Sequence, residues 1–216
     1  MKAEIKTVTE QLYRSIREAI LSQQIPSGEK LTIKKLNEEY GVSSSPIREA
    51  LTRLQQDGLI EYKPNIGMSV VVPTANDIRE IFELMGEFDA IALRFAMHSE
   101  HKEDFIKELE DTHNKIKECI DGGCEWNALS DAFHLVFHQY ANNSRLTDAA
   151  VKVRSQFTLF SNAYEKIPEN RQEIVNQHGK ILEALKINDI NTAETLMRAH
   201  ISSSQDKAFK VLQNNN

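Results

Sequence analysis

Three histidines have the type and spacing to do chemistry inside a protein. All seven histidines lie beyond residue 97. His134 stands one turn before His138 and beside Phe137 in helical spacing; His178 falls in a stripe of Ile174, Ile181, Leu182 and Leu185; His200 follows Leu196 and Met197 by one turn. Each is thus on or beside the apolar face of a different segment. Neutral imidazoles converging in a core can hold a divalent transition metal, zinc foremost. For each taken alone, a hydrogen-bonded core histidine is the competing reading. Three histidines with an open position also form the ligand set of some hydrolytic zinc centres. The inward stripes offer no positioned general base, so an enzyme is not the expectation, although a three-histidine metallo-enzyme stays as an alternative.

A second constellation could read nucleic acid. In LTIKKLNEEYGVSSSPIREALTRLQQDGLIEYKPNIGMSVV, residues 31–71, Ile47, Ala50, Leu51 and Leu54 recur at helical spacing. That leaves Ser44, Ser45, Arg48 and Thr52 on the opposite face. Arg48 has a planar fork that can pair both major-groove acceptors of guanine. Gly41 suits a sharp corner between two helices. Ser45 is expected as the N-cap and Pro46 as the first helical residue. Asp57-Gly58 stops the helix. Leu59 to Tyr62 and Met68 to Val71 read as two strands around a turn at Pro64-Asn65-Ile66-Gly67. Helix, turn, helix and β-wing in this order make a winged helix-turn-helix.

The elements that position these residues follow from periodicity. Val8, Leu12, Ile16 and Ile20 predict a first helix between Thr7 and Gln24, and a short helix follows from Ile33 to Tyr40. Val72-Pro73-Thr74 is the expected domain boundary, giving domains 1–73 and 74–216. Beyond it the pattern is helical only. Segments begin near Thr74, Lys102, Glu125, Leu146, Glu169 and Asn191, and are stopped by Asp121-Gly122-Gly123, Asn142-Asn143, Ile167-Pro168 and the Asn-rich tail. The expected fold class is mainly α, a winged helix-turn-helix followed by an antiparallel bundle of about six helices.

The N-terminal module, VSSSPIREALTRLQQDGLIEYKPNIGMSV, closely resembles the signature of GntR-type bacterial transcription regulators, usually written VSRTPVREAL followed by a wing with a basic residue. The resemblance implies that Lys34, Ser44, Ser45, Arg48, Lys63, Asn65 and Gly67 face DNA. Two departures stand out: Ser44 replaces an arginine of most members, and Ile66 replaces the basic residue of the wing. Gln23 replaces a glycine after the first helix. The patches FHLVFHQYANNSRL (133–146), QHGKILEAL (177–185) and NDINTAETLMRAHI (188–201) resemble the effector domain of the FadR subgroup.

That second resemblance implies three of four metal ligands at His134, His178 and His200. The fourth, an aspartate in the family, falls at Ser130; Asp131 lies about 100° round the helix, and His138 or a water can take the position. It also implies an effector site including Met85, Asp89, Ser130, His134, Asn143, His178 and His200. Met85 and Asp89 stand where many members have an arginine and a glutamate. The effector is expected to be a small organic acid whose charge a metal can compensate; an uncharged effector is the alternative. The implied activity is that of a homodimer on a pseudo-palindromic double-stranded operator. A divergent module acting through protein contacts is the remaining alternative.

Composition is compatible with this. With 40% hydrophobic and 27% charged residues the chain resembles an ordinary soluble protein, and no apolar run approaches the roughly 20 residues needed to cross a bilayer. No signal-like apolar centre follows Met1, so a cytoplasmic location without membrane partners is expected. Residues 1–73 carry net +1 and residues 74–216 net −7, within the total of −6. Phosphate affinity must therefore come from local basic residues. Cys119 and Cys124 form no CxxC pair and are expected as reduced thiols.

Overall fold

The computed structural model describes residues 7–121, 124 and 126–214. The chain divides into two compact units, Met1–Thr74 and Ala75–Asn216. The first contains α1 (Val8–Leu21), β1 (Lys30–Leu31), α2 (Ile33–Tyr40), α3 (Ser44–Gln56), β2 (Ile60–Lys63) and β3 (Gly67–Val70). Thr7 starts α1 by accepting a hydrogen bond from the Glu10 amide, and Leu12, Ile16 and Ile20 bury its apolar stripe against α3. The facing stripe of α3 is Ile47, Ala50, Leu51 and Leu54, all buried. Each of its larger side chains contributes roughly 1.5–3 kcal/mol by leaving water.

Two local expectations need correction. The N-cap of α3 is Ser43, not Ser45, so Ser44 is the first helical residue. Pro46 then sits in the first turn, where its missing N–H still costs no intrahelical bond. The wing is also wider than a hairpin. Lys30 and Leu31 pair with Ser69 and Met68, giving a three-stranded antiparallel sheet in the order β1-β3-β2. Two residues are too short a strand for alternation to reveal. Gly41 ends α2 in the left-handed conformation at φ +64°, which makes the corner of the helix-turn-helix.

The second unit contains α4 (Ala75–Met97), α5 (Lys102–Glu118), α6 (Trp126–Tyr140), α7 (Ser144–Tyr164), α8 (Pro168–Lys186) and α9 (Ile190–Asn214). These are the six expected helices. Their ends are set by Asn143, which accepts from the Leu146 amide, by Pro168 in the first turn of α8, and by Asp189, which accepts from the Thr192 amide. α4 is central and packs against α6, α7 and α9. Phe82 on α4 meets Phe157 on α7 with ring centroids 4.6 Å apart. Gly86 on α4 faces Ile201 on α9, where a Cβ would make an ordinary contact at 3.6 Å. The expected stops at Gly122-Gly123, the start at Glu125 and the last two residues of the tail lie outside the described residues.

Cys119 and Cys124 are joined as a disulfide, with Cα atoms 5.8 Å apart. This replaces the expectation of two reduced thiols.

Candidate metal centre and nucleic-acid interface

α6, α8 and α9 bring His134, His178 and His200 together. One ligand nitrogen from each lies within 4.8 Å of the other two, and all three side chains are buried. His178 Nε2 and His200 Nε2 are 3.2 Å apart. Two nitrogens bound tetrahedrally to zinc at about 2.0–2.1 Å would be about 3.3 Å apart, a separation that His178 and His200 nearly match. One remaining nitrogen, that of His200, is hydrogen-bonded from behind. Gln177 Oε1 accepts from His200 Nδ1 at 2.7 Å, which turns the Nε2 lone pair inward. Asp89 Oδ2 lies 2.8 Å from His134 Nδ1. Phe133 stacks on His178 at 3.9 Å with nearly parallel planes.

The electrostatics keep these rings available as ligands. Burial, reinforced by the neighbouring imidazoles, holds His178 and His200 well below the ordinary histidine range, so both are neutral at pH 7. Asp89 is fully buried. Burial alone would raise its pKa, but Arg154 and His134 outweigh that and hold it well below the carboxylate range. Arg154 Nη2 donates to both Asp89 oxygens at 2.7 and 2.8 Å. His138 Nε2 lies 2.9 Å from Asp89 Oδ1. Asp89 therefore fixes two histidines and one arginine from behind the cluster.

Most of the expected effector residues gather here, though in different roles. Ser130, His134 and His200 line one small cavity, together with Asp131, Phe157, Glu165 and others. His178 closes the histidine cluster beside His200. Met85 is packed in the core of α4, Asp89 lies behind His134, and Asn143 caps α7; none of the three lines this cavity. Asp131 accepts from Arg154 Nη1 at 3.0 Å and from the Thr158 hydroxyl at 2.8 Å. His138 is turned to Asp89 and away from a ligand position.

Arg154, Glu165 and Trp126 escaped the sequence reading. Arg154 is an arginine on α7 whose partners lie 65 and 23 residues away. Glu165 is the residue that ends α7, and its Oε2 accepts from Trp126 Nε1 at 2.8 Å. No local pattern announces either role.

In the other unit, α3 exposes Ser44, Ser45 and Arg48 while its apolar stripe is buried, and Lys34 is exposed on α2. Thr52 donates to the Arg48 carbonyl at 2.9 Å and stays on the helix. On the wing, Lys63 pairs with Glu61 at 2.7 Å. Asn65 and Gly67 shape the tip with φ of +65° and +99°. Ile66 is half exposed there. A Cβ on Gly67 would lie 3.6 Å from Lys30 Cε, so the exposed Lys30 side chain runs beside the wing. It is a basic residue overlooked because β1 was.

Comparison with known proteins agrees with both halves. Residues 8–70 match the family described as bacterial regulatory proteins, gntR family, and residues 80–203 match the FCD domain. The chain is 26% identical over 207 residues to the HTH-type transcriptional regulator YdhC of Bacillus subtilis, covering 94% of this chain and 92% of that one. It is 26% identical to the HTH-type transcriptional repressor RspR of Escherichia coli, covering 96% and 92%. The solved structure of E. coli McbR/YncC shares the fold, with a TM-score of 0.76 at 21% identity over 97% of this chain and 99% of that chain. The two relatives from B. subtilis and E. coli are named as transcriptional regulators, and the metallo-enzyme alternative is set aside. Among the described residues no helix is long and apolar enough to cross a membrane.

Proposed function

We infer that this chain, which belongs to the GntR family of bacterial regulatory proteins and carries an FCD domain, is a homodimeric, ligand-responsive repressor or activator of a pseudo-palindromic operator. The observation that carries the DNA half is α3, buried along Ile47, Ala50, Leu51 and Leu54 and exposed along Ser44, Ser45 and Arg48. A helix so divided offers one face to its own core and the other to a groove. In this reading Arg48 reads a base edge, while Ser44, Ser45, Lys34, Lys63, Asn65 and Gly67 position phosphates. Lys30 joins them at the wing.

The bundle is the effector domain, with a small ligand held beside His134 and His200. Zinc is the metal the histidine set suits best, and a bound divalent ion would supply a Lewis-acidic anchor for a ligand oxygen. The chain itself contributes the orientation of His134 through Asp89 and of His200 through Gln177, while His178 is stacked on Phe133. A small organic acid then has charge compensation that Met85 cannot give.

The test of the DNA half is Arg48→Ala, measured by anisotropy on a bound operator fragment. The expected loss is roughly 1–3 kcal/mol of specific binding with relaxed preference at one base pair. Unchanged affinity and preference would remove Arg48 from the reading.

A further inference from the structure

α4 carries two apolar faces, and the bundle covers only one of them fully. Ile78, Phe82, Met85, Leu93 and Ala96 are buried. On another side Ile81, Leu84, Phe88, Ile91 and Phe95 follow one another at steps of three, four, three and four residues. Leu84 is 43% exposed, and the other four are half-buried. Hydrophobic residues scattered singly on a surface need no explanation. Five along one helix, over roughly 21 Å, form a continuous ridge. Their spacing is that of the seam between two helices wound together. A helix apolar this far round is ordinarily covered on both sides.

The charges beside the ridge favour a second copy of the same helix as its cover. Glu80 and Arg94 are exposed on the same flank, each next to one end of the ridge. Glu80 accepts from the Asn76 amide at 2.7 Å, and no cation pairs with it among the described residues. Arg94 reaches Glu194 only at 3.4 Å and is 46% exposed. Glu87, midway between them, is already neutralised by Arg198, whose Nε and Nη2 donate at 2.8 and 3.1 Å. Turning α4 end for end near Phe88 lays the ridge on itself, with Leu84 beside Ile91, and carries Glu80 to Arg94 at both ends. A parallel copy would set the acidic first half, with Asp77, Glu80, Glu83 and Glu87, against its like.

We propose that the outer ridge of α4 is the surface on which a second copy of this chain docks. The two α4 helices run antiparallel, with the two-fold axis near Phe88 and Glu80 of each copy beside Arg94 of the other. This rests on the homodimer reading and names its interface. One patch then serves both copies, as two-fold symmetry requires. The same helix carries Asp89, which lies behind His134, so the histidine centre and the interface share one element.

Sedimentation equilibrium of the zinc-loaded full-length protein tests it. Leu84→Lys should weaken dimerisation by roughly 100-fold, and Glu80→Arg or Arg94→Glu alone by roughly tenfold, since each sets like charges together at both ends. All three side chains are exposed, so the fold is kept, which circular dichroism checks. Mixed in equal amounts, the Glu80→Arg and Arg94→Glu proteins should form a mixed dimer as tight as the wild type, because each copy then meets the opposite charge at both ends. Unchanged affinity in Leu84→Lys, or in both charge variants, overturns the proposal and leaves a homodimer joined elsewhere. A mixture that dimerises no better than its components also overturns it. A wild-type chain that stays monomeric at all concentrations removes the homodimer reading as well.

Discussion

Asp89 Oδ2 lies 2.8 Å from His134 Nδ1, at the buried back of the histidine cluster. The carboxylate comes from α4 and the imidazole from α6, so the ring's inward nitrogen is aimed by a helix that supplies no ligand itself. Partners of this kind fix ring orientation and raise ligand basicity.

Asp89→Asn should therefore weaken zinc binding by about 10–100-fold. Competition titration with a zinc chelator reads this directly. Affinity unchanged within twofold would mean that the contact does not position His134.

The same carboxylate neutralises Arg154. Removing only the arginine, as Arg154→Met, leaves Asp89 buried without its principal cation and should cost about 3–5 kcal/mol of stability. Asp89→Asn combined with Arg154→Met removes both charges and should recover much of that loss in denaturant unfolding. A double variant as unstable as the sum of the single ones would show that the pair does not act as a unit.

Glu165 makes stability depend on pH with a definite sign. Burial raises its carboxyl from the ordinary 4.5 to about 7 in the folded chain. The stabilising effect of the proton is complete below about pH 4.5 and is lost as pH rises through 7. Relative to Glu165→Gln, the wild-type protein should lose up to about 3 kcal/mol across that window. Urea unfolding of both proteins at pH 5 and 8 checks it. A constant difference between the two curves would contradict the assignment. The comparison isolates Glu165, because the depressed His178 and His200 act in the opposite sense, costing stability as pH falls below about 6.5.

How far these features could be read beforehand depends on whether their cause is local. The helix-turn-helix was legible because Gly41, the α3 stripe and Asp57-Gly58 act through neighbouring backbone. The bundle helices were legible from breaks such as Asn142-Asn143 and Ile167-Pro168, where Asn143 and Pro168 act within one turn. The three histidines could be named because each lies on an apolar stripe. The environment of Asp89 could not be read, since Arg154 stands 65 residues away and nothing in its own helix marks it. Glu165 was hidden for the same reason, with Trp126 39 residues distant. Ser45 was mistaken for the cap because Pro46 is compatible with more than one position of a first turn.

Gln23 offers a test of the fold alone. It takes φ +67° after α1, where its amide bonds the Ile20 carbonyl and the Ile25 amide reaches back to Ala19. A side chain there is strained, and the left-handed backbone suits glycine. Gln23→Gly should raise stability by up to about 1 kcal/mol, the gain being reduced by the greater freedom of glycine in the unfolded chain. A lower melting temperature would contradict the backbone assignment.

The central claim is sequence-specific DNA binding by a symmetric pair of α3 helices. Incubating the purified full-length protein with sheared genomic DNA and sequencing the retained fragments tests it most directly. The account predicts an enriched motif with two-fold symmetry, lost in Arg48→Ala. Retained fragments without any shared motif would contradict it and favour a module working through protein contacts, for which Ser44 and the exposed Ile66 would then be the reason.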